Sequence, residues 1–264
     1  SLLLGPIALY YALTNREARR ASSDFLQRVH GRPTRFSAVV AHLRTFGQVT
    51  LDRLFMLRGQ HECFTVQRTG GEILQRVLDD GRGAVILSAH LGSMAASKIG
   101  DARRRERIYI AGFFRNAAMI NAALGQFDAG SGARVVHIDP GSPRTVLAVR
   151  DLVEAGNLVA IAADRAGLND RVVQVPFLGQ SATFPLGPFI LAAILRKPVV
   201  LAFALFESPN RYHFHCELFS DGIVAPRKGR DAALRAEIVR YAQRLEHYAR
   251  LAPMNWFNFY DFWA

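Results

Sequence analysis

Beyond Gly83, short apolar runs bounded by turn residues alternate with stretches of helical period, and this alternation constrains the chain more than any other feature. The runs lie at 84–89, 107–112, 134–138, 158–163 and 199–206, and the helical stretches near 93–104, 116–125, 143–154 and 185–196. Continuous apolar runs of that length suit strands buried on both faces, and intervening helices are the connections that parallel strands require. The expected fold is α/β: a mainly parallel central sheet flanked by helices. Ahead of it, Phe36 to Leu57 has the spacing of one amphipathic helix or two, Cys63 to Val66 reads as a strand and Gly71 to Leu78 as a helix. After it come a strand-like stretch from Tyr212 to Phe219, a helix from Asp231 to Ala249 and an aromatic tail, Pro253 to Trp263. There is no internal repeat and no low-complexity linker, so residues 21–264 are expected to form one domain, preceded by a separate segment, 1–20.

That first segment is unusual. Leu2 to Leu13 is almost wholly apolar, ends on Tyr10 and Tyr11, and is followed by Arg16, Arg19 and Arg20. Twelve residues are too few to span a hydrocarbon core, which takes ~20. Apolar residues, then aromatics, then arginines is nevertheless the order found where a helix meets a membrane surface. A membrane-associated N-terminal helix is expected, with an ordinary buried first helix as the alternative. The net charge of +11 favours an acidic partner such as anionic lipid or an acidic carrier protein. All but three of the 33 basic residues are arginine, the exceptions being Lys98, Lys197 and Lys228. Arginine suits two-pronged contacts to phosphate and carboxylate. The arginines are scattered and not interleaved with aromatics, which argues against nucleic acid. Cys63 and Cys216 alone make neither a disulfide framework nor a metal set, and His213 and His215 lack a third ligand at suitable spacing, so no metal and no cofactor are expected.

The candidate site follows the first long apolar run. His90 stands just past the strand expected at 84–89, where open α/β sheets place their ligands. Gly92 and Ser93 come next, with Ser93 as the expected N-cap of a helix running to about Ile99, whose positive end would keep the imidazole neutral and basic. Alone, a histidine at a strand end could equally be capping a carbonyl.

Around His90 the sequence resembles the lysophospholipid acyltransferase-like superfamily, in particular the bacterial branch containing the late lipid A acyltransferases. The hallmark of that family is His-x-x-x-x-Asp/Glu, which here reads His90-Leu-Gly-Ser-Met-Ala95. Further blocks are Phe113-Phe-Arg115-Asn116, Ala163-Asp164-Arg165, Val175-Pro-Phe-Leu-Gly179 and Ala182-Thr183-Phe-Pro-Leu-Gly187, then Lys197-Pro198 and the Trp256–Trp263 tail. The last two are similar to members tied to glycolipid or aryl-polyene lipids. The resemblance spans nearly the whole chain and implies acyl transfer from a thioester, on acyl-carrier protein or coenzyme A, to a hydroxyl or amine of a lipid or glycolipid. It also implies attachment to the cytoplasmic face of the inner membrane.

Carried over, the resemblance makes His90 the general base. The Gly92 and Ser93 N–H groups become oxyanion or phosphate donors, and Arg115, Arg165 and Thr183 substrate contacts. Asp164 is expected to orient an arginine, and the apolar stretch Phe184 to Leu195 to line an acyl groove or to serve as core. Ala95 departs from the pattern. The carboxylate that would fix the tautomer of the base and stabilise its positive form is missing there, so the chain is expected to be a Glu-to-Ala form with little activity, either by deliberate substitution or as a natural member that is weak or catalytically dead. A lipid-binding module on a degenerate acyltransferase fold is the rival reading, and a hydrolase using His90 to activate water is the third.

Overall fold

The computed structural model describes residues 3–99, 107–112, 134–138, 142–167 and 170–263. Three helices come first: α1 (Leu4–Thr14), α2 (Arg16–His30) and α3 (Phe36–Leu57). Strand β1 (Thr65–Thr69), α4 (Gly71–Asp79) and β2 (Ala84–Ser88) follow. Next come β3 (Ile108–Gly112), β4 (Arg134–His137), α5 (Pro143–Glu154) and β5 (Leu158–Ala162). The chain continues through β6 (Val172–Phe177), β7 (Gln180–Pro185), α6 (Gly187–Leu195), β8 (Val199–Glu207), β9 (Arg211–Ser220) and α7 (Arg230–Leu251).

Among the described residues, seven strands form one sheet in the order β1-β9-β8-β2-β5-β3-β4. Strands β8, β2, β5, β3 and β4 run parallel to one another, β9 is antiparallel to β8, and β1 is parallel to β9. β2 is hydrogen-bonded to β5 on one side and β8 on the other, and all five of its residues are buried. That is why its sequence shows no polar face.

The side chains sort by strand parity into two cores. Val85, Leu87, Val159, Ile161, Leu201 and Phe203 point to the face covered by α5, α6, α7 and the β6–β7 hairpin. Ala84, Ile86, Leu158, Ala160, Val200 and Ala202 point to the face covered by α3 and α4. Each buried large aliphatic side chain contributes ~1.5–3 kcal/mol relative to exposure.

The α/β architecture with a mostly parallel sheet is as expected. The helix over 36–57 is single and unbroken, and the helices at 143–154 and 187–195 lie where the periodicity put them. Two details differ. The sequence reading missed the hairpin β6–β7, because Pro176 and the turn at Leu178-Gly179 break its apolar pattern into short pieces. In place of a helix from Ser93 there is a 3-10 turn over Met94–Lys98, and Ser93 caps nothing. The helix expected near 116–125 lies outside the described residues, as does the far end of the one expected over 93–104.

α1 is inverted relative to an ordinary surface helix. Its small residues Ala8 and Ala12 are buried against Val39 and Leu43 of α3. Leu3 before it, and Ile7, Leu9, Tyr10, Tyr11 and Leu13 within it, are exposed. No helix among the described residues is long and apolar enough to cross a membrane.

Candidate active site

The parallel strands β2 and β5 end side by side, Ser88 opposite Ala162. The loops that leave them therefore meet, and they bring His90 and Asp164 together. Asp164 Oδ1 lies 2.9 Å from His90 Nδ1. Its other oxygen, Oδ2, accepts the His90 backbone N–H at 3.0 Å. Asp164 is fully buried, while 40% of the His90 side chain is exposed. The carboxylate takes Nδ1 and leaves Nε2 as the nitrogen available to a substrate.

Asp164 has further donors. Trp256 Nε1 and Asn258 Nδ2 each reach Oδ2 at 3.1 Å. Burial by itself pushes the carboxyl up, but the charge and hydrogen bonds of His90, with Arg165 nearby, outweigh it and hold Asp164 below the usual carboxylate range.

Trp256 and Asn258 sit in the tail that follows α7, and this tail is laid against the His90 loop like an added strand. Phe257 N–H donates to the His90 carbonyl at 2.8 Å, and Gly92 N–H to the Asn255 carbonyl at 2.9 Å. On the other side Ser93 N–H donates to the Ala204 carbonyl of β8 at 2.8 Å. Gly92 has φ of 69°, and a Cβ there would stand 1.9 Å from the Ala204 oxygen. The glycine in His-Leu-Gly is thus demanded by close backbone approach as well as by a left-handed conformation.

The tail is anchored from the helical side too. Buried His42 of α3 bonds the Trp256 carbonyl through Nε2 at 3.0 Å and Ser22 Oγ of α2 through Nδ1 at 2.9 Å. A carbonyl can only accept, so Nε2 carries the hydrogen and Nδ1 accepts from the serine hydroxyl. Burial lowers the His42 pKa to about 4.

The remaining candidates fall differently from expectation. Asp164 serves the imidazole directly instead of orienting an arginine. Arg165 is tied to the tail: Nε donates to Asn258 Oδ1 and a terminal nitrogen to the Phe257 carbonyl, both at 2.5 Å. The Gly92 and Ser93 N–H groups are spent on Asn255 and Ala204, so they are not free to hold an oxyanion. Ser93 Oγ is buried with no hydrogen-bond partner among the described residues. Thr183 lies in the β6–β7 hairpin, where its hydroxyl accepts Gln174 Nε2 at 2.7 Å. Phe184, Leu186, Phe189, Leu191 and Ala192 belong to the core on the α7 side of the sheet, so packing accounts for that stretch. Ala95 is half-buried in the 3-10 turn against the α3–α4 core. His213 and His215 stack with ring centroids 4.0 Å apart on β9, and His213 Nε2 pairs with Thr69 Oγ1. Arg115 lies outside the described residues, as do Phe113, Phe114 and Asn116.

A histidine poised on a buried carboxylate at the ends of parallel strands fits several hydrolytic or transfer chemistries, and comparison with known families narrows them. A family model described as bacterial lipid A biosynthesis acyltransferase matches residues 36–263. The chain belongs to that family. The match starts at the first residue of α3 and takes in the whole sheet, the His90–Asp164 pair and the tail through Trp263. Membership makes the chain an acyltransferase, with acyl transfer to a lipid as its reaction type and an acyl donor and a lipid acceptor as its substrates. No individual curated protein matches the chain.

Proposed function

We propose that this family member moves a fatty acyl chain from a thioester, on acyl-carrier protein or coenzyme A, to a hydroxyl or amine of a membrane lipid or glycolipid. His90 Nε2 removes the proton of the acceptor as its oxygen or nitrogen attacks the thioester carbonyl. Collapse of the tetrahedral adduct breaks the carbon–sulfur bond, and the proton on His90 passes to the leaving thiolate. No acyl-enzyme is formed. Asp164 fixes the ring as the Nδ1–H tautomer and stabilises the charge it gains.

The observation that carries this reading is the Asp164 Oδ1 to His90 Nδ1 contact, 2.9 Å long, between a fully buried carboxylate and a part-exposed ring. It also bears on Ala95: with a carboxylate already on Nδ1, alanine at that position leaves the base supported, and the chain is read as competent. The outward-facing large residues of α1 and the arginines after it support attachment to a membrane surface, which we assign to the cytoplasmic face of the inner membrane.

The test is thioester release from an acyl donor with and without lipid acceptor, using the chain beside His90→Ala and Asp164→Asn. Orienting and base roles of this kind are worth on the order of 10²–10⁴-fold in rate, so both variants are expected to lose most of the transfer. Release that needs no acceptor would point to hydrolysis. Lipid binding without release, unaltered in both variants, would favour the lipid-binding module.

A further inference from the structure

We infer that Trp256 and Asn258 are positioning residues for the acyl-transfer reaction, acting through Asp164 by tying down Oδ2 so that Oδ1 is kept for the His90 ring. The inference rests on the reading of His90 as base. Oδ2 accepts from three groups, the His90 N–H, the Trp256 indole and the Asn258 amide, whereas Oδ1 has the ring nitrogen. A carboxylate pinned at one oxygen by donors from two directions cannot rotate about its Cβ–Cγ bond without breaking them. The ring therefore meets an acceptor already in place when its charge develops.

The orientation of Asn258 is itself determined. Arginine has only donors, so the amide oxygen of Asn258 must face Arg165 Nε, and its NH₂ must then face Asp164. Arg165 acts one step further back, holding both the Asn258 side chain and the Phe257 carbonyl. Trp256 is fixed from behind by His42 on its carbonyl and by Phe25 and Phe177 against its ring. The tail thus supplies two neutral donors to a carboxylate about ninety residues away in sequence.

The direction of the effect can be worked out. Among the described residues, the charged and titratable groups around Asp164 are His90, Arg165, Tyr241 of α7 and Tyr260 of the tail. Removing a neutral donor leaves the carboxylate more basic. Asp164 is then protonated at higher pH, and the support it gives the ring is lost sooner on acidification. Loss of one hydrogen bond to a buried carboxylate moves its titration by roughly one to two pH units.

The experiment is the pH dependence of kcat and KM for acyl transfer by Asn258→Leu, Trp256→Phe and the double variant, with folding checked by circular dichroism. The expected result is an acid limb of kcat displaced upward by about one pH unit or more in each single variant and further in the double. The plateau kcat should fall by roughly tenfold, and KM should stay within about twofold. Where Asn258→Leu does not fold, Asn258→Ala removes the donor without added bulk and is read the same way. Folded variants that keep the parental acid limb would overturn the inference, as would a parallel loss of thermal stability and rate with no displacement of the limb. His90→Ala and Asp164→Asn are run alongside. If they abolish transfer while the tail variants keep the parental profile, the positioning role fails alone; if His90→Ala retains activity, the base assignment fails with it.

Discussion

Acidification between pH 6.5 and 4 should loosen this protein, and His42 carries a share of the loss that can be isolated. In the folded chain its ring is wholly buried and its pKa is lowered from 6.5 to about 4, chiefly by burial, with the bond to the Trp256 carbonyl opposing the shift in part. Above pH 6.5 the ring is neutral whether the chain is folded or not, and the full stability is present. As the pH falls below 6.5 the unfolded chain takes up a proton that the folded chain refuses, so stability declines until about pH 4, where the folded ring also protonates. The gap of about 2.5 units, at ~1.4 kcal/mol each, amounts to about 3.5 kcal/mol, of which about 3 kcal/mol is lost by pH 4, a large share of the ~5–15 kcal/mol typical of a folded protein. Asp164, held below 3.8, stays ionised in the folded chain through this window, and its own loss comes at lower pH. The assay is urea unfolding followed by tryptophan fluorescence at pH 7, 6, 5 and 4, for the parent and His42→Gln. Glutamine keeps a donor for the Trp256 carbonyl and cannot titrate. His215, whose pKa is also lowered to about 4, contributes equally to both proteins and cancels. The parent should lose about 3 kcal/mol more than the variant between pH 7 and 4; parallel curves would refute the assignment.

Ala95→Glu is expected to change kcat by less than about tenfold, because Nδ1 of His90 already has Asp164, whereas Asp164→Asn should cost ~10²-fold or more; a gain of ~10²-fold from Ala95→Glu would restore the view that a carboxylate is missing. Flotation with anionic liposomes should fall sharply for the double variant Ile7→Glu, Leu13→Glu, whose side chains lie on the outer face of α1; unchanged flotation would put the membrane contact elsewhere.

The strands were legible because buried parallel strands carry their own signature. Ala84 to Ser88 and Leu158 to Ala162 have no polar face to hide, and the helices at 143–154 and 187–195 lead into β5 and β8 as parallel crossovers require. The position of His90 followed from the same logic, since the chain must leave β2 at its carboxyl end. Its partner did not follow. Asp164 also leaves a buried strand at its carboxyl end, but nothing in a linear sequence says that β5 lies directly beside β2, with β3 and β4 beyond it. Only that pairing sets Ser88 opposite Ala162 and so brings the two loops together. The resemblance points to a carboxylate five positions after His90, where Ala95 stands in a 3-10 turn.

The tail held a signal that could have been read. In Asn255-Trp256-Phe257-Asn258 two amides interrupt an aromatic run, and both are buried. A buried amide must find partners or cost ~1–3 kcal/mol, so asparagines in such a run imply polar atoms waiting inside the protein. Asn255 meets Phe206, its Oδ1 accepting the backbone N–H and its Nδ2 donating to the carbonyl, and Asn258 meets Asp164 and Arg165. The first locks the tail to β8 and the second places a donor at the carboxylate. Composition could show that the amides needed partners, but which partners they took depended on where a 22-residue helix, α7, delivered the tail. α7 runs back from the far end of the sheet to the His90 end, and Tyr241 Oη donates to the Ser88 carbonyl on the way. The tail reaches the site because of that direction, so the surroundings of His90 and Asp164 are built by the tail as much as by the motif that contains the histidine.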